Sequence, residues 1–266
     1  MSINDQLLDT DFLNQFSKAF EYHGVDVKRY KASFLKRRVE RRMRILNLLQ
    51  YSDYIGVLKN NNDEFKILFE SLSINVTNLF RDPLVYHKFE QLVIPLLRTH
   101  YEKEKKVRVW SAGCATGEEP YSLSILLSES LRIPNITVEI VANDINPKAI
   151  EIAQTGRYSP KSIENLPPNL ISKYFIKITN ANSTEYEIVQ TLKNTVSFRS
   201  GDIISNDAKN LDVIFCRNVL IYYEKEAQEL LMSKFHNCLR DSGYLVLGMD
   251  ETMLGKRCEK LFHPML

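Results

Sequence analysis

The sequence predicts an all-α N-terminal domain followed by an α/β, Rossmann-like doubly wound domain that carries a small antiparallel β insertion. Three observations lead to this fold class. Apolar residues recur at helical spacing through about residue 70, with few strand signals. Short apolar, β-branched runs then alternate with helical segments, which is typical of a parallel sheet. Between residues 158 and 193, prolines and a polar tract interrupt that alternation.

The helical domain is expected to span residues 1–74. Its amphipathic segments cover residues 7–22, 30–49, 52–58 and 63–72. The second segment is strongly basic, because residues 28–44 hold nine Lys or Arg against the single acid Glu40. Such a charge run is usually only a solvated face, and the alternative is a docking surface for an acidic partner. The chain's net charge of +2 lacks the basic excess typical of nucleic-acid binding.

A connecting segment is expected over residues 75–106. It contains a helix that starts at Pro83 and is kinked or broken near Pro95, followed by the charged, exposed link 102–106. The α/β domain is then expected over residues 107–266. Its inserted β-subdomain should occupy about residues 159–193.

The first strand of this domain leads into a turn of small residues. The strand is expected over residues 107–110, and the turn Gly113-Cys114-Ala115-Thr116-Gly117 opens a helix at Glu118 and Glu119. The turn lacks the lysine of a phosphate-binding loop, and two acids at a helix start would repel a pyrophosphate. A cationic or polyhydroxylated ligand fits better.

Polar residues follow each later strand at the point where the strand ends. Asp144 follows the strand 138–142, Gly201-Asp202 follows 195–199, and Arg217-Asn218 follows 211–216. The carboxyl ends of parallel strands meet in one crevice, where an acid can accept hydrogen bonds from ribose hydroxyls. S-adenosylmethionine (AdoMet) is therefore favoured over NAD, since it has a ribose, an adenine and a sulfonium but no phosphate. For any single acid, the alternative is a helix cap or a turn residue.

Composition excludes several other classes of protein. No apolar run approaches the roughly twenty residues of a membrane helix, and the N-terminus carries acids where a secretory signal would be basic. A cytoplasmic location is expected, with reduced thiols, because the four cysteines include no Cys-x-x-Cys pair. The five histidines form no ligand pair at helical spacing, so no metal is expected.

Several of these motifs together resemble those of one known family. The chain closely resembles the CheR-type chemotaxis receptor methyltransferases in four motifs, VWSAGCATGEEPYS, ANDIN, FCRNVLIYY and GYLVLG, and in the residues Asn75, Thr77 and Arg81 that precede them. The resemblance covers nearly the whole chain. It implies methyl transfer from AdoMet to glutamate side chains in the cytoplasmic helical domain of methyl-accepting chemoreceptors. The products would be glutamyl 5-O-methyl esters and S-adenosylhomocysteine. A monomer is expected, with neither nucleic-acid binding nor direct membrane insertion.

The resemblance also implies roles for individual residues. Arg81 and Tyr222 match positions beside the reacting groups. Asp202 stands where the family often has asparagine. The positions that match cofactor-binding residues are Asn75, Thr77, Arg81, Glu119, Asp144, Asp202, Ile203, Arg217 and Asn218. Two alternatives stay open, since Arg217 could pair with a surface acid and Tyr222 could be packed core.

Acidic receptor helices would be complementary to the basic second helix. The residues expected to dock them are Arg37, Arg38, Arg41, Arg42 and Arg44. Near the C-terminus the chain departs from the family, reading Gly248-Met249-Asp250-Glu251 in place of a Gly-His-Ser-Glu-like element, and we expect this to leave the cofactor motifs untouched. Two other functions stay open: a catalytically silent AdoMet-sensing or receptor-binding module, and a methyltransferase with a different acceptor.

Overall fold

The computed structural model describes residues 3–23, 26–73, 77–131, 134–180, 183–205, 208–251 and 261–265. The chain divides into two compact units. The helical unit comprises Met1–Ile74 and Leu220–Leu230, and the α/β unit comprises Asn75–Val219 and Leu231–Leu266. The segment that follows residue 74 thus groups with the α/β unit, while a short later segment groups with the helices.

Four helices of the described residues build most of the helical unit: α1 (Ile3–Glu21), α2 (Ala32–Ile45), α3 (Tyr51–Asn60) and α4 (Asn62–Glu70). Aromatic side chains fill its core. Phe16 is 1% exposed, and its ring meets the ring of Tyr51 edge-on at 5.5 Å. Asn61 begins α4, since its side-chain oxygen accepts the N–H groups of Asp63 and Glu64.

A buried ion pair joins α2 to α4. Arg42 donates from Nε and Nη2 to the two carboxylate oxygens of Glu64 at 2.9 and 2.6 Å, and the Tyr54 hydroxyl donates to the same carboxylate at 2.8 Å. Burial acts to raise the pKa of Glu64, but the hydrogen bonds from Arg42 and Tyr54 outweigh it and lower that pKa. The prediction that Arg42 helps to dock an acidic partner is therefore wrong, because its side chain is 15% exposed and its guanidinium binds Glu64 inside the unit.

The strands of the α/β unit are β1 (Lys106–Ala112), β2 (Thr137–Asp144), β3 (Arg157–Tyr158), β4 (Phe175–Asn180), β5 (Ser183–Ile188), β6 (Val196–Ser200), β7 (Leu211–Cys216) and β8 (Leu239–Leu247). Five of them form a parallel sheet in the order β6-β2-β1-β7-β8. The strand order reverses at β1, and in doubly wound sheets the crevice at such a point takes the ligand. The other three form the predicted antiparallel sheet, in the order β3-β5-β4.

Helices of the same unit flank the sheets: α5 (Pro83–Leu92), α6 (Ile94–Glu104), α7 (Glu118–Ser130), α8 (Pro147–Thr155), α9 (Pro168–Tyr174), α10 (Gln190–Lys193) and α11 (Lys225–Cys238), within which the division between units falls. The break expected near Pro95 lies at Val93. Helix α6 continues to Glu104, so most of the expected exposed link is helical. Tyr86 and Phe89 of α5 pack into the core with Phe215 of β7.

Within the described residues, no helix combines the length and apolar character needed to cross a membrane.

Candidate active site

The turn between β1 and α7 needs glycine at two positions. Gly113 and Gly117 have φ angles of +82° and +94°, in the left-handed region that favours glycine. A Cβ atom on Gly113 would lie 2.5 Å from Cγ2 of Val219, so the side chain of Val219 rests directly on the turn. The N–H groups of Gly113 and Cys114 donate to the carbonyl of Asn143 at 2.9 and 3.0 Å. The turn is thereby held against the end of β2.

Asp144, the predicted ribose-binding acid, lies beside this turn at the end of β2. Its side chain is buried, and its two oxygens accept the N–H groups of Ala115 and Asn146 at 2.9 and 3.0 Å. The alternative that Asp144 caps the following helix is not observed, because the cap of α8 is Asn146, whose side chain accepts from Lys148 and Ala149. The carboxylate of Asp144 instead orients the turn itself.

Arg217 is the centre of a buried hydrogen-bond network. Its Nη2 donates to the carbonyl of Arg81 at 2.8 Å and to the carboxylate of Asp82 at 2.9 Å, and its Nη1 lies 3.4 Å from the carboxylate of Glu119. The guanidinium lies 5.2 Å from the ring centroid of Tyr86. Its side chain is 2% exposed, and its two acidic partners differ in burial, since Glu119 is 12% exposed and Asp82 is 32% exposed. The alternative of a pair with a surface acid therefore holds in part, for Asp82. The Nε of Arg217 is buried without a hydrogen-bond partner in the described part of the chain.

Glu119 is held between Arg217 and Ser111. Burial raises the pKa of Glu119, while the charge of Arg217 and the hydrogen bond from Ser111 Oγ, at 2.8 Å, oppose that rise. Burial also acts to lower the pKa of Arg217, but its electrostatic interactions with Tyr86, Glu119 and Asp82 raise that pKa. The charged guanidinium is thus the form that this network stabilises.

The remaining site residues lie in several environments. Ile203 is 4% exposed, and the carboxylate of Asp202 accepts the N–H of Ile204 at 2.9 Å. Asn218 has a positive φ of 58°. Thr77 is half-buried. Asn75 lies outside the described residues.

Tyr222 belongs to the helical unit. Its carbonyl accepts the N–H of Lys31 at 2.9 Å, and its ring centroid is 4.7 Å from that of Phe34 on α2. The side chain is half-buried rather than fully packed core. Arg38 lies against the same ring of Phe34, with its guanidinium carbon 5.3 Å from the centroid.

Four residues that complete these contacts were missed by sequence reasoning. Asp82 and Tyr86 contact Arg217, Ser111 contacts Glu119, and Glu251 accepts backbone N–H groups after β7. The sequence offered a signal for Glu251, because Gly248 and Glu251 keep the first and last residues of the family's Gly-His-Ser-Glu-like element. The departures from the family at Met249 and Asp250 do not remove this contact, since Glu251 accepts the N–H of Asn218.

The donor set fits AdoMet and not a phosphate-bearing cofactor. Glu118 and Asp144 are buried, and Glu119 is 12% exposed, around a turn that carries no lysine or arginine. Carboxylates suit an amino group, a sulfonium and ribose hydroxyls, and they repel phosphates. Cys114 and Cys216 are buried, which raises the pKa of both thiols well above the usual range and leaves them unreactive. The described residues contain no cluster suited to a metal ion.

The free energy of unfolding should depend on pH through the raised pKa of Glu118. Burial raises its pKa to about 7, so the folded state retains a proton that the unfolded chain releases near pH 4.5. The free energy of unfolding should therefore fall by about 3 kcal/mol between pH 4.5 and 7. We expect Glu118→Gln to remove this fall, as measured by urea denaturation at pH 5 and pH 8. The exposed control Glu164→Gln should keep it, and an unchanged pH profile in Glu118→Gln would refute the assignment.

Two family models match the chain in sequence order. The all-alpha domain of the CheR methyltransferases matches residues 11–73, and their SAM binding domain matches residues 75–264. The chain belongs to the CheR methyltransferase family. Together the two matches cover most of its length, and the second brings the turn, the acids and Arg217 into one domain described as binding AdoMet.

Curated relatives agree with this membership. A chemotaxis protein methyltransferase 2 of Pseudomonas aeruginosa is 32% identical, with 92% of this chain and 87% of that protein covered. The chemotaxis protein methyltransferase of Escherichia coli K12 is 30% identical, over 92% of this chain and 85% of that protein. The one from Salmonella typhimurium is 31% identical, over 92% and 84%. The resemblance inferred from the motifs is confirmed, together with the fold class, AdoMet as cofactor and methyl transfer as the activity.

Proposed function

We propose that this CheR-family enzyme transfers the methyl group of AdoMet to glutamate side chains in the cytoplasmic helical domain of chemoreceptors. The observation that carries the proposal is the match over most of the chain to proteins named chemotaxis protein methyltransferases. The products are a glutamyl 5-O-methyl ester and S-adenosylhomocysteine. Such a reaction would serve adaptation in chemotaxis.

The cofactor is proposed to bind through residues at the strand ends. Asp144 would accept the ribose hydroxyls, Ile203 would offer an apolar surface to the adenine, and Asp202 would accept from its amino group. Glu119, with its charge balanced by Arg217, would face the cationic part of the ligand. The full proposed set is Asn75, Thr77, Arg81, Glu119, Asp144, Asp202, Ile203, Arg217 and Asn218.

The reaction needs positioning more than acid–base chemistry. A glutamate with a reference pKa of about 4.3 is already ionised at neutral pH, so its carboxylate attacks without losing a proton. A C–O bond forms as the C–S bond breaks, and the bonding electron pair passes to sulfur, which neutralises the sulfonium. Alignment of the reacting groups can lower such a barrier by roughly 7–11 kcal/mol. Arg81 and Tyr222 are proposed to hold the carboxylate in line.

The helical unit offers a second arginine to an acidic acceptor. Arg38 of α2 has a buried Nε without a hydrogen-bond partner among the described residues. Burial, followed by the charge of Arg37, lowers the pKa of Arg38. The buried Nε is closed to an outside partner, but the Arg38 side chain is only half-buried, and a receptor carboxylate beside it would favour its charged form. Arg38 is therefore kept in the proposed docking set with Arg37, Arg41 and Arg44, while Arg42 is removed from it.

Charge reversal of the exposed arginines should weaken receptor binding. Arg37 and Arg41 are one helical turn apart on α2 and exposed. The double change Arg37→Glu/Arg41→Glu is expected to raise KM for a receptor fragment about tenfold at low salt. The effect should shrink as ionic strength rises, because exposed charges are screened.

A matched control is the double reversal Lys59→Glu/Lys66→Glu, which alters two exposed lysines of the same unit. It changes the net charge by the same amount and should leave KM for the receptor fragment near that of the wild type. An equal rise in KM in both proteins would show a nonspecific charge effect and contradict docking through α2.

The acceptor is tested by transfer of radiolabelled methyl from AdoMet to purified chemoreceptor cytoplasmic fragments. We expect label that mild alkali releases as a volatile product, and that disappears when receptor glutamates are replaced by alanine. AdoMet binding without any transfer would contradict the proposal and favour a silent sensor. Alkali-stable label would favour a different acceptor group.

A further inference from the structure

The turn after β8 closes on itself through the side chain of Glu251. The N–H of Glu251 donates to the carbonyl of Gly248 at 3.1 Å, and the N–H of Gly248 donates to Oε2 of Glu251 at 2.8 Å. A Cβ on Gly248 would lie 2.7 Å from that Oε2 and 3.1 Å from the backbone nitrogen of Asn218, so a side chain there would displace the carboxylate. The absence of a side chain on Gly248 lets the Glu251 carboxylate and the backbone of Asn218 both lie close to this turn.

The same carboxylate binds the segment that follows β7. Its Oε2 accepts the N–H of Asn218 at 2.8 Å, and its Oε1 accepts the N–H of Val219 at 2.7 Å. Glu251 is 8% exposed, so these charge-assisted bonds lie away from water. Counting Gly248, three backbone donors point at one carboxylate. We call this arrangement the Glu251 clasp.

The clasp holds a stretch of backbone that includes an unusual conformation at Asn218. Asn218 has a φ of 58°, a conformation that asparagine tolerates at some energetic cost. Val219, the next residue held, rests on Gly113 of the first turn, where a Cβ would approach its Cγ2 to 2.5 Å. A continuous set of contacts therefore joins the end of β8, the segment after β7 and the turn after β1. Arg217 directly precedes the clasped residues.

We propose that Glu251 is a positioning residue for AdoMet binding, which acts by fixing the backbone of Asn218 and Val219 against the Gly113 turn. The inference rests on the proposed assignment of Arg217 and Asn218 to the cofactor site. Glu251 itself need not touch the cofactor. Its carboxylate sets the conformation of Asn218, which belongs to the proposed cofactor site, and of Val219, which rests on the Gly113 turn.

The test is AdoMet binding to Glu251→Gln, measured by titration calorimetry. A glutamine has one acceptor oxygen, and its amide nitrogen would face a backbone N–H, so at least one of the three bonds is lost. We expect the Kd for AdoMet to rise about tenfold or more. The KM for AdoMet should rise with it, while the KM for a receptor fragment at saturating AdoMet stays within twofold of the wild type. A general loss of structure would not produce this split.

The matched control is Asp250→Asn, which removes a charge from the exposed neighbouring residue and should leave the Kd unchanged. Gly248→Ala provides a second variant, because its Cβ would displace the Glu251 carboxylate without altering charge. It should raise the Kd in the same direction. A Kd within twofold of the wild type in a folded Glu251→Gln protein would overturn the inference.

Amide hydrogen exchange in the wild-type protein gives a measurement that does not depend on the variants folding. The N–H groups of Asn218 and Val219 should exchange slowly, and more slowly still with S-adenosylhomocysteine present. Rapid exchange at both residues would overturn the inference. These outcomes are separate from the acceptor question, since an enzyme that binds AdoMet but methylates no receptor would leave the Kd comparison intact.

Discussion

Arg217→Ala is expected to abolish measurable AdoMet binding and to lower the free energy of unfolding by about 3–5 kcal/mol. The change removes a cation that is 2% exposed and leaves Asp82 and Glu119 without it. Burial already raises the pKa of Glu119, and loss of the opposing charge of Arg217 would raise it further and so favour the neutral form. A neutral Glu119 could no longer attract a cationic ligand.

Urea denaturation and titration calorimetry measure the two effects. The control is Arg108→Ala, since Arg108 is 41% exposed and its only ion pair among the described residues is a 4.0 Å approach to Glu139. That change should alter stability by less than about 1 kcal/mol. Arg217→Lys keeps the charge but cannot donate to Asp82 and Glu119 in the same planar fork. Its losses of stability and of AdoMet affinity should lie between those of Arg217→Ala and Arg108→Ala. An Arg217→Ala protein with unchanged stability and Kd would contradict the network described here.

Arg81→Lys is expected to lower kcat about 100-fold while leaving the fold intact. The structure separates two roles of this residue. Its backbone carbonyl accepts from Arg217, and any side chain preserves that bond. Its guanidinium is 38% exposed and lies 3.9 Å from Asp82, a weak pair whose loss costs little stability. The planar donor fork that we assign to the acceptor carboxylate is lost on substitution by lysine.

Single-turnover methylation at saturating AdoMet measures this effect. The melting temperature should stay near that of the wild type, and because AdoMet is saturating, a lower rate would place the loss in the transfer step. Arg98→Lys, at an exposed position of α6, is the matched control and should be fully active. Unchanged turnover in Arg81→Lys would remove Arg81 from the mechanism.

The sheet and the acidic turn could be predicted because their signals are local. A short apolar run predicts a buried strand such as β7, and a group of small residues predicts a turn such as that at Gly113. The position of Asp144 follows from strand polarity alone, since the carboxyl ends of parallel strands share one edge. The break between α5 and α6 followed from Pro95.

Contacts between distant residues could not be predicted in this way. Arg217 and Asp82 are 135 positions apart, and only the folded chain brings them together. Arg42 was included in the docking set from the charge of α2, because the sequence does not show that Glu64, 22 residues away, reaches into the helix interface. The role of Glu251 depends on a turn 32 residues beyond Val219.

Methyl transfer is expected to depend on alignment of an already ionised carboxylate and to need no general base. The most direct test of this expectation is the pH dependence of single-turnover methylation of a receptor fragment at saturating AdoMet, between pH 6 and 9. The Glu118→Gln protein is used, so that the carboxyl whose pKa is raised to about 7 does not titrate in this range. A rate constant that varies by less than about twofold is predicted. A rate that rises about tenfold per pH unit below a plateau would reveal a base that must lose a proton, and would contradict the account.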